Sequence, residues 1–101
     1  MDIELSTVAE ATIVRLSGRF DFTTRNQFMA QLDGALGKLA EPEIRVDLGQ
    51  VDYIDSSALG MLLMLRDKAK KLDKTVALQN AHGQVREVIG TAQFDRLFSV
   101  R

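Results

Sequence analysis

The chain has 101 residues and a net charge of −1, and its 46% hydrophobic and 27% charged residues fit one globular domain. With 13 basic against 14 acidic residues and no basic run, it lacks the concentrated positive field that a nucleic-acid partner requires. Cysteine is absent, which excludes disulfides and thiolate nucleophiles, and there is neither a signal-peptide pattern nor an apolar run of about 20 residues. These features predict a cytoplasmic protein that binds neither nucleic acid directly nor a membrane.

The first predicted elements are two strands joined as a hairpin. Ile3, Leu5 and Thr7 alternate with polar neighbours, the pattern of a half-buried strand. After a turn at residues 9–11, the apolar and β-branched segment Thr12–Ser17 predicts a second strand, which the following glycine ends.

A helix is predicted after a connecting loop over residues 19–22. Thr23 or Thr24 is expected to cap this helix by accepting a backbone N–H bond in its first turn. One apolar stripe at three- and four-residue spacing then faces the sheet. It consists of Phe28, Leu32, Ala35, Leu36 and Leu39. Pro42 stops any continuation of the helix.

Strands and helices continue to alternate in the second half of the chain. The predicted elements are a strand over Ile44–Leu48 with a turn at Gly49, a helix from Ser56 to about Leu72, a strand over Thr75–Gln79, a helix over Gln84–Ile89 stopped by Gly90, and a C-terminal tail with a short helix and an edge strand. The order ββαβαβα requires crossover connections between strands. It therefore predicts an α/β domain with a mixed, mainly parallel sheet and helices packed mainly on one side.

The most informative segment is VDYIDSSALGMLLML, residues 51–65. Asp55 is a good N-cap, which places Ser56 and Ser57 in the first turn of the helix. The free N–H groups and the helix dipole favour an anion at that position. The sequence thus predicts an exposed hydroxyl at Ser56 in a field that tolerates phosphate.

The same helix has almost no polar face in its first turns, which indicates a surface for a protein partner. Its core-facing residues are predicted to be Leu59, Leu62, Leu63 and Ala69. Its outward residues are predicted to be Met61, Met64 and Leu65. Gly60 costs roughly 1 kcal/mol relative to alanine inside a helix, so a close approach by another backbone is expected there. The alternative is that this helix is simply buried between the sheet and another helix.

The motif DSSALG, residues 55–60, resembles the signature of STAS domains, a family named for sulfate transporters and anti-sigma-factor antagonists. Gly18 and Asp21 match the Gly-x-x-Asp after the second strand of that family, and Thr24 matches a threonine just beyond it. Residues 46–48 and 70–78 resemble further blocks of the family. The resemblance covers nearly the whole chain and implies one STAS domain over residues 1–101.

The resemblance implies a bacterial anti-sigma factor antagonist that works by partner switching and is not an enzyme. In such a switch, the unphosphorylated antagonist binds an anti-sigma factor with serine kinase activity, and a serine phosphatase reverses the phosphorylation. The serine that directly follows the signature aspartate is Ser56. The partner-binding and switch residues are expected to be Asp21, Thr24, Asp55, Ser57, Gly60, Met61 and Met64. No cofactor or metal is expected.

Two departures from the family pattern leave the identity of the partner open. Ala58 stands where many members have glycine, and Phe22-Thr23 stands where a polar pair is common. Neither departure removes the hydroxyl that would be phosphorylated.

An enzyme and a structural subunit are the alternative functions. An enzyme is disfavoured because His82 is the only histidine and no Gly-x-Ser-x-Gly elbow surrounds Ser56. Gly34–Lys38 has neither the spacing of a phosphate loop nor a following Ser or Thr. The alternative function is a structural STAS subunit of a lipid ABC transporter, or of another signalling assembly, without serine phosphorylation.

Overall fold

A hairpin followed by alternating helices and strands forms the domain, and the computed structural model describes all 101 residues, Met1–Arg101. The elements are β1 (Asp2–Val8), β2 (Ala11–Phe20), α1 (Arg25–Leu36), β3 (Glu43–Ile54), α2 (Ser56–Lys71), β4 (Thr75–Gln79), α3 (Gly83–Thr91) and β5 (Ser99–Val100), with 3-10 turns at Phe22–Thr24 and Phe94–Arg96. The sheet has the order β1-β2-β3-β4-β5, antiparallel between β1 and β2 and parallel elsewhere. The predicted α/β class is confirmed.

One face of the sheet is covered and the other is polar. On β2, Val14 and Leu16 are buried while the intervening Arg15 is exposed, and Arg15 Nε lies 3.7 Å from Asp47 Oδ2 on β3. This alternation is typical of a sheet with one solvated face. The helices supply the other side of the core through Phe28, Leu32 and Leu36 of α1, Ala58, Met61, Leu62, Leu65 and Ala69 of α2, and Val85 and Ile89 of α3.

The turn predicted at Gly49 is wrong, because β3 runs through it as one strand. Arg15 pairs with Asp47 whereas Ser17 pairs with Gln50, so β3 carries one extra residue here, a β-bulge. Gly49 N–H donates to Asp47 Oδ1 at 2.9 Å. A Cβ at position 49 would lie 3.1 Å from that same oxygen, so the glycine permits a close approach at the bulge and does not end the strand.

The loop predicted for residues 19–22 is also shorter than expected. β2 extends to Phe20, whose ring packs against Phe28 of α1 with the centroids 5.0 Å apart. Neither threonine caps α1 as predicted: Thr24 occupies the N-cap position without a side-chain cap bond, and its hydroxyl donates to Asp21 O at 2.8 Å.

Most of the remaining elements match their predictions, although α1 ends at Leu36 and so does not include Leu39 of the predicted stripe. α2 begins at Ser56 and ends one residue before the predicted Leu72, and β4 has the predicted bounds. The C-terminal 3-10 turn and the edge strand β5 are confirmed. Gly90, predicted to stop α3, lies inside it instead. None of the helices is both long enough and apolar enough to cross a membrane.

Candidate functional site

The parallel pairing of β2 and β3 brings the two signature aspartates to one edge of the sheet. Phe20 at the end of β2 pairs with Ile54 at the end of β3. Asp21 and Asp55 follow these two residues directly, and each begins a helical segment. Two acids that are far apart in the sequence therefore flank the start of α2, as the motif predicts.

The Asp55 carboxylate joins two segments of the chain. Its Oδ1 accepts a hydrogen bond from Ala58 N at 2.9 Å, which is the predicted N-cap of α2. Its Oδ2 accepts from Phe22 N at 3.1 Å. One side chain thus fixes the start of α2 against the turn that follows β2.

Asp21 faces inward and organises this turn. Its Oδ1 accepts from the Thr23 hydroxyl at 2.5 Å and from Thr23 N at 3.0 Å, while Arg19 Nε lies 3.5 Å from Oδ2. The hydrogen bond from the Thr23 hydroxyl is the main reason that the pKa of Asp21 lies below its ordinary value. Asp21 is therefore a fixed negative charge at neutral pH, but it is largely buried and presents little contact surface.

The two serines differ in exposure. Ser56, the first residue of α2, is exposed, whereas Ser57 is half-buried. Successive helical residues point about 100° apart, which accounts for the difference. The first turn contains no acidic side chain, so nothing on the helix itself opposes an anion at Ser56.

The phase predicted for α2 is partly wrong. Met61 is fully buried and Leu65 nearly so, although both were predicted to face outward. Leu59 and Leu63 are half-buried where core positions were expected. The residues that share the inner face are Ala58, Met61, Leu62, Leu65 and Ala69. Met61 therefore belongs to the hydrophobic core and offers no surface to a partner.

Opposite the core lies what we call the outer ridge, which consists of Ser56, Gly60, Leu63 and Met64. Met64 is half-buried, which agrees with its predicted partial exposure. A Cβ at Gly60 would meet nothing within 4 Å. The close backbone approach expected at Gly60 is thus not made by this chain, and the ridge is flat at that point.

The sequence prediction missed two residues of the site. Phe22, noted only as a departure from the family pattern, is 68% exposed beside Asp55. Gln84 of α3 holds the end of β3: its Nε2 donates to Ile54 O at 2.9 Å, and its Oε1 accepts from Ile54 N at 3.0 Å. No sequence pattern marks the role of Gln84, because its partners are backbone groups of a distant strand.

Gln84 substitutes for a missing strand. β4 pairs only with Glu43–Asp47, so the second half of β3 has no neighbouring strand on that side. The connection after β4 satisfies β3 instead, with Asn80 Nδ2 donating to Asp47 Oδ1 at 3.2 Å and His82 Nε2 lying 3.1 Å from Gly49 O. His82 is the N-cap residue of α3.

The structure contains no group of three or more His, Cys, Asp or Glu side chains placed to hold a metal ion. What distinguishes the site is an exposed serine, two fixed carboxylates and an apolar helix on a mixed sheet. These features define a small α/β domain with an exposed serine at the start of its central helix.

The chain belongs to the STAS domain family, since the family model described as "Mlab, STAS domain" matches residues 3–99. A STAS-domain containing protein of Pseudomonas aeruginosa (strain UCBPP-PA14) is 34% identical over 87 residues, which span 86% of this chain and 84% of that protein. The family inferred from the DSSALG motif is confirmed.

Solved structures share the fold at low identity. The unphosphorylated anti-sigma factor antagonist SpoIIAA superposes with a TM-score of 0.74 at 23% identity, covering 99% of this chain and 87% of that one. The phosphorylated Bacillus SpoIIAA gives 0.73 at 21%, covering 99% and 91%. A putative anti-sigma factor antagonist from Thermotoga maritima gives 0.86 at 20%, covering 97% and 84%.

Proposed function

We propose that this chain is an anti-sigma factor antagonist in a phosphorylation-controlled partner switch of the bacterial cytoplasm. Its unphosphorylated form binds an anti-sigma factor with serine kinase activity, phosphorylation of Ser56 releases that partner, and a serine phosphatase restores binding. The observation that carries the proposal is the exposed Ser56 directly after Asp55, whose carboxylate caps α2 in a chain of the STAS family.

The surroundings of Ser56 support a switch that needs no refolding. A phosphate adds about −1.5 to −2 charges and three acceptor oxygens. The free N–H groups and dipole at the start of α2 tolerate that charge, so the folded domain can accept it. Phosphorylated and unphosphorylated SpoIIAA resemble this chain equally well, with TM-scores of 0.73 and 0.74, which supports the same view.

A bound partner would tolerate the phosphate far less well. Asp55 directly precedes Ser56, Asp21 follows the neighbouring strand at the same edge of the sheet, and the outer ridge next to Ser56 is partly apolar. Closing a partner over this surface would bury a dianion, which is costly unless the partner supplies a countercharge. Phosphorylation therefore opposes binding through local repulsion and desolvation.

Mass spectrometry tests the proposal. The protein is incubated with ATP and an anti-sigma factor kinase from the same genome, and the modified peptide is mapped, with Ser57→Ala as the matched control. We expect phosphate on Ser56 in both the wild type and Ser57→Ala. Phosphate on Ser57, or on neither serine, contradicts the assigned site.

Binding measurements test the mechanism separately. Ser56→Ala should bind the kinase and resist release by ATP, whereas Ser56→Asp should bind more weakly. A carboxylate carries only about half the charge of a phosphate, so the effect of Ser56→Asp is expected to be partial. Unchanged affinity after complete phosphorylation of Ser56 contradicts the switch.

A second candidate function, which membership of the same family also allows, is a structural STAS subunit of a lipid ABC transporter or another signalling assembly without serine phosphorylation. Such a subunit would use the outer ridge as a permanent contact. Stable co-purification with its assembly, equal for wild type and Ser56→Asp, would favour this candidate.

A further inference from the structure

Phe22 is the most exposed large hydrophobic residue of the chain. It is 68% exposed, while the other exposed large hydrophobic side chains lie between 40% and 46%. The other four phenylalanines, Phe20, Phe28, Phe94 and Phe98, are all buried. An aromatic ring left in solvent loses the burial that stabilises its counterparts, and Phe and Met are enriched at protein interfaces.

The backbone beneath this ring is fixed from both sides. Phe22 N donates to Asp55 Oδ2 at 3.1 Å, and the next residue, Thr23, is bonded to Asp21 through its N–H and its hydroxyl. Thr24 N also donates to Asp21 O at 3.1 Å, which closes the turn. A side chain presented from an ordered turn loses little entropy when a partner binds it.

The backbone of Phe22 is bonded to Asp55, the residue directly before the outer ridge. Asp55 bonds Phe22 with one oxygen and the first turn of α2 with the other, so the position of Phe22 relative to Ser56 is set by a single side chain. Beyond Ser56 the surface is flat at Gly60 and apolar at Met64. A partner that covers Ser56 therefore contacts the exposed ring of Phe22, the flat surface at Gly60 and the flexible thioether of Met64.

We propose that Phe22 is the principal anchor of the partner interface and inserts into an apolar pocket of the anti-sigma factor. This inference rests on the proposed function and adds the chemistry of the partner. The rim of that pocket carries no cation next to Ser56, since a cation there would stabilise the phosphate and oppose release.

Charge argues against a second copy of this chain as the occupant. A symmetric dimer with Phe22 at its centre would bring Asp55 and its counterpart together. Like charges brought together at an interface disfavour association. The ring is thus suited to a different protein, and phosphorylation of Ser56 would increase the repulsion between two copies further.

The test compares Phe22→Ala with Leu72→Ala, which removes another exposed apolar side chain at the opposite end of α2. Affinity for the anti-sigma factor is measured by calorimetry, and the denaturation midpoint is measured for each variant. We expect Phe22→Ala to weaken binding by about 30-fold or more, as a hot-spot residue does, with no measurable shift of the midpoint. Leu72→Ala should change neither quantity, and Phe22→Leu should lie between the wild type and Phe22→Ala.

The outcomes separate the two proposals. If the wild type binds and Ser56 phosphorylation releases it, but Phe22→Ala binds as tightly as the wild type, the anchor is overturned and the switch stands. If the wild type binds no anti-sigma factor, both are overturned. Sedimentation showing a wild-type dimer that Phe22→Ala abolishes would identify a second copy as the occupant and overturn the assignment to a different protein.

Discussion

The two ends of the parallel strands differ in the side chains that they expose. At the amino end, charged side chains are bonded within the chain: Lys74 Nζ donates to Leu39 O and Glu41 O, both at 2.7 Å, and the Thr12 hydroxyl donates to Glu41 Oε1 at 2.9 Å. At the carboxyl end, Phe22 and Ser56 point into solvent.

This difference separates stability from recognition. At the carboxyl end, Asp21, Asp55 and Gln84 satisfy backbone groups, so the segments that carry the exposed residues are already ordered. Side chains at that end are free to contact another molecule without weakening the fold. Substitutions of the supporting residues should change stability, and substitutions of the exposed residues should change binding.

The inner face and the outer ridge of α2 provide the largest contrast. Met61→Ala removes a fully buried side chain and should lower the free energy of unfolding by about 2–5 kcal/mol. Met64→Ala, on the half-buried ridge, should lower it by less than about 1 kcal/mol. Urea denaturation of the two variants measures both values. Equal losses would contradict the phase of α2 described here.

Substitution of Gln84, which bonds the backbone of Ile54, is expected to have the next largest effect on the free energy of unfolding. Gln84→Ala leaves the N–H and the carbonyl of the buried Ile54 without their partner, which should cost about 1–3 kcal/mol. Gln84→Glu keeps an acceptor for the N–H but loses the donor to the Ile54 carbonyl, so it should preserve the interaction only in part. Hydrogen exchange at Ile54 measures the local change. Unaltered exchange in Gln84→Ala would contradict a supporting role.

Acid titration compares the carboxylates at the two ends of the parallel strands by their effect on the free energy of unfolding. Hydrogen bonds from Arg101 and Arg45 lower the pKa of Glu43 at the amino end, as the Thr23 hydroxyl lowers the pKa of Asp21 at the other. A lowered pKa in the folded state stabilises the fold above the unfolded pKa of about 4, and this contribution is lost as the pH falls further. We expect the free energy of unfolding to decrease below about pH 4.

The variants Glu43→Gln and Asp21→Asn should each make this decrease in the free energy of unfolding smaller when unfolding is measured between pH 7 and pH 3. For Glu43→Gln, the loss at pH 7 should be about 1 kcal/mol or less, because its ion pairs are partly exposed. If neither variant changes the decrease in the free energy of unfolding at low pH, other groups control the acid sensitivity.

How far the sequence predicts this molecule depends on the kind of signal. Alternating strands, the stripe on α1 and the capped start of α2 are local patterns, and they gave the correct element order and the position of Ser56. The local pattern does not determine which face of α2 is buried. Because apolar residues surround its first turns, the periodicity did not distinguish Met61 from Met64, and packing against the sheet determines which of them is buried.

The other misses have similar physical causes. Gly49 is typical of a turn, but a glycine is equally needed at a bulge where Asp47 approaches the backbone. Gln84 acts on a strand that is distant in the sequence, and the exposure of Phe22 depends on how β2 ends. The positions of the exposed serine and of the two aspartates could thus be predicted, whereas the residues that support and surround them required the folded chain.

The smallest expected effect tests the flat part of the outer ridge. Gly60 and Gly34 lie inside α2 and α1, and a Cβ at either position would meet nothing within 4 Å. Alanine costs less than glycine in a helix interior, so each Gly→Ala variant should raise the free energy of unfolding by about 0.5–1 kcal/mol.

Partner binding distinguishes the two glycines. If the anti-sigma factor packs against the flat surface at Gly60, the added methyl group of Gly60→Ala should weaken binding although the domain becomes more stable. Gly34→Ala adds the same group on α1, away from the ridge, and should leave affinity unchanged. Calorimetry and urea denaturation on the same samples give both quantities. A stabilised Gly60→Ala that binds as tightly as Gly34→Ala would mean that the partner does not cover this part of the ridge, and the interface would then have to lie nearer to Phe22.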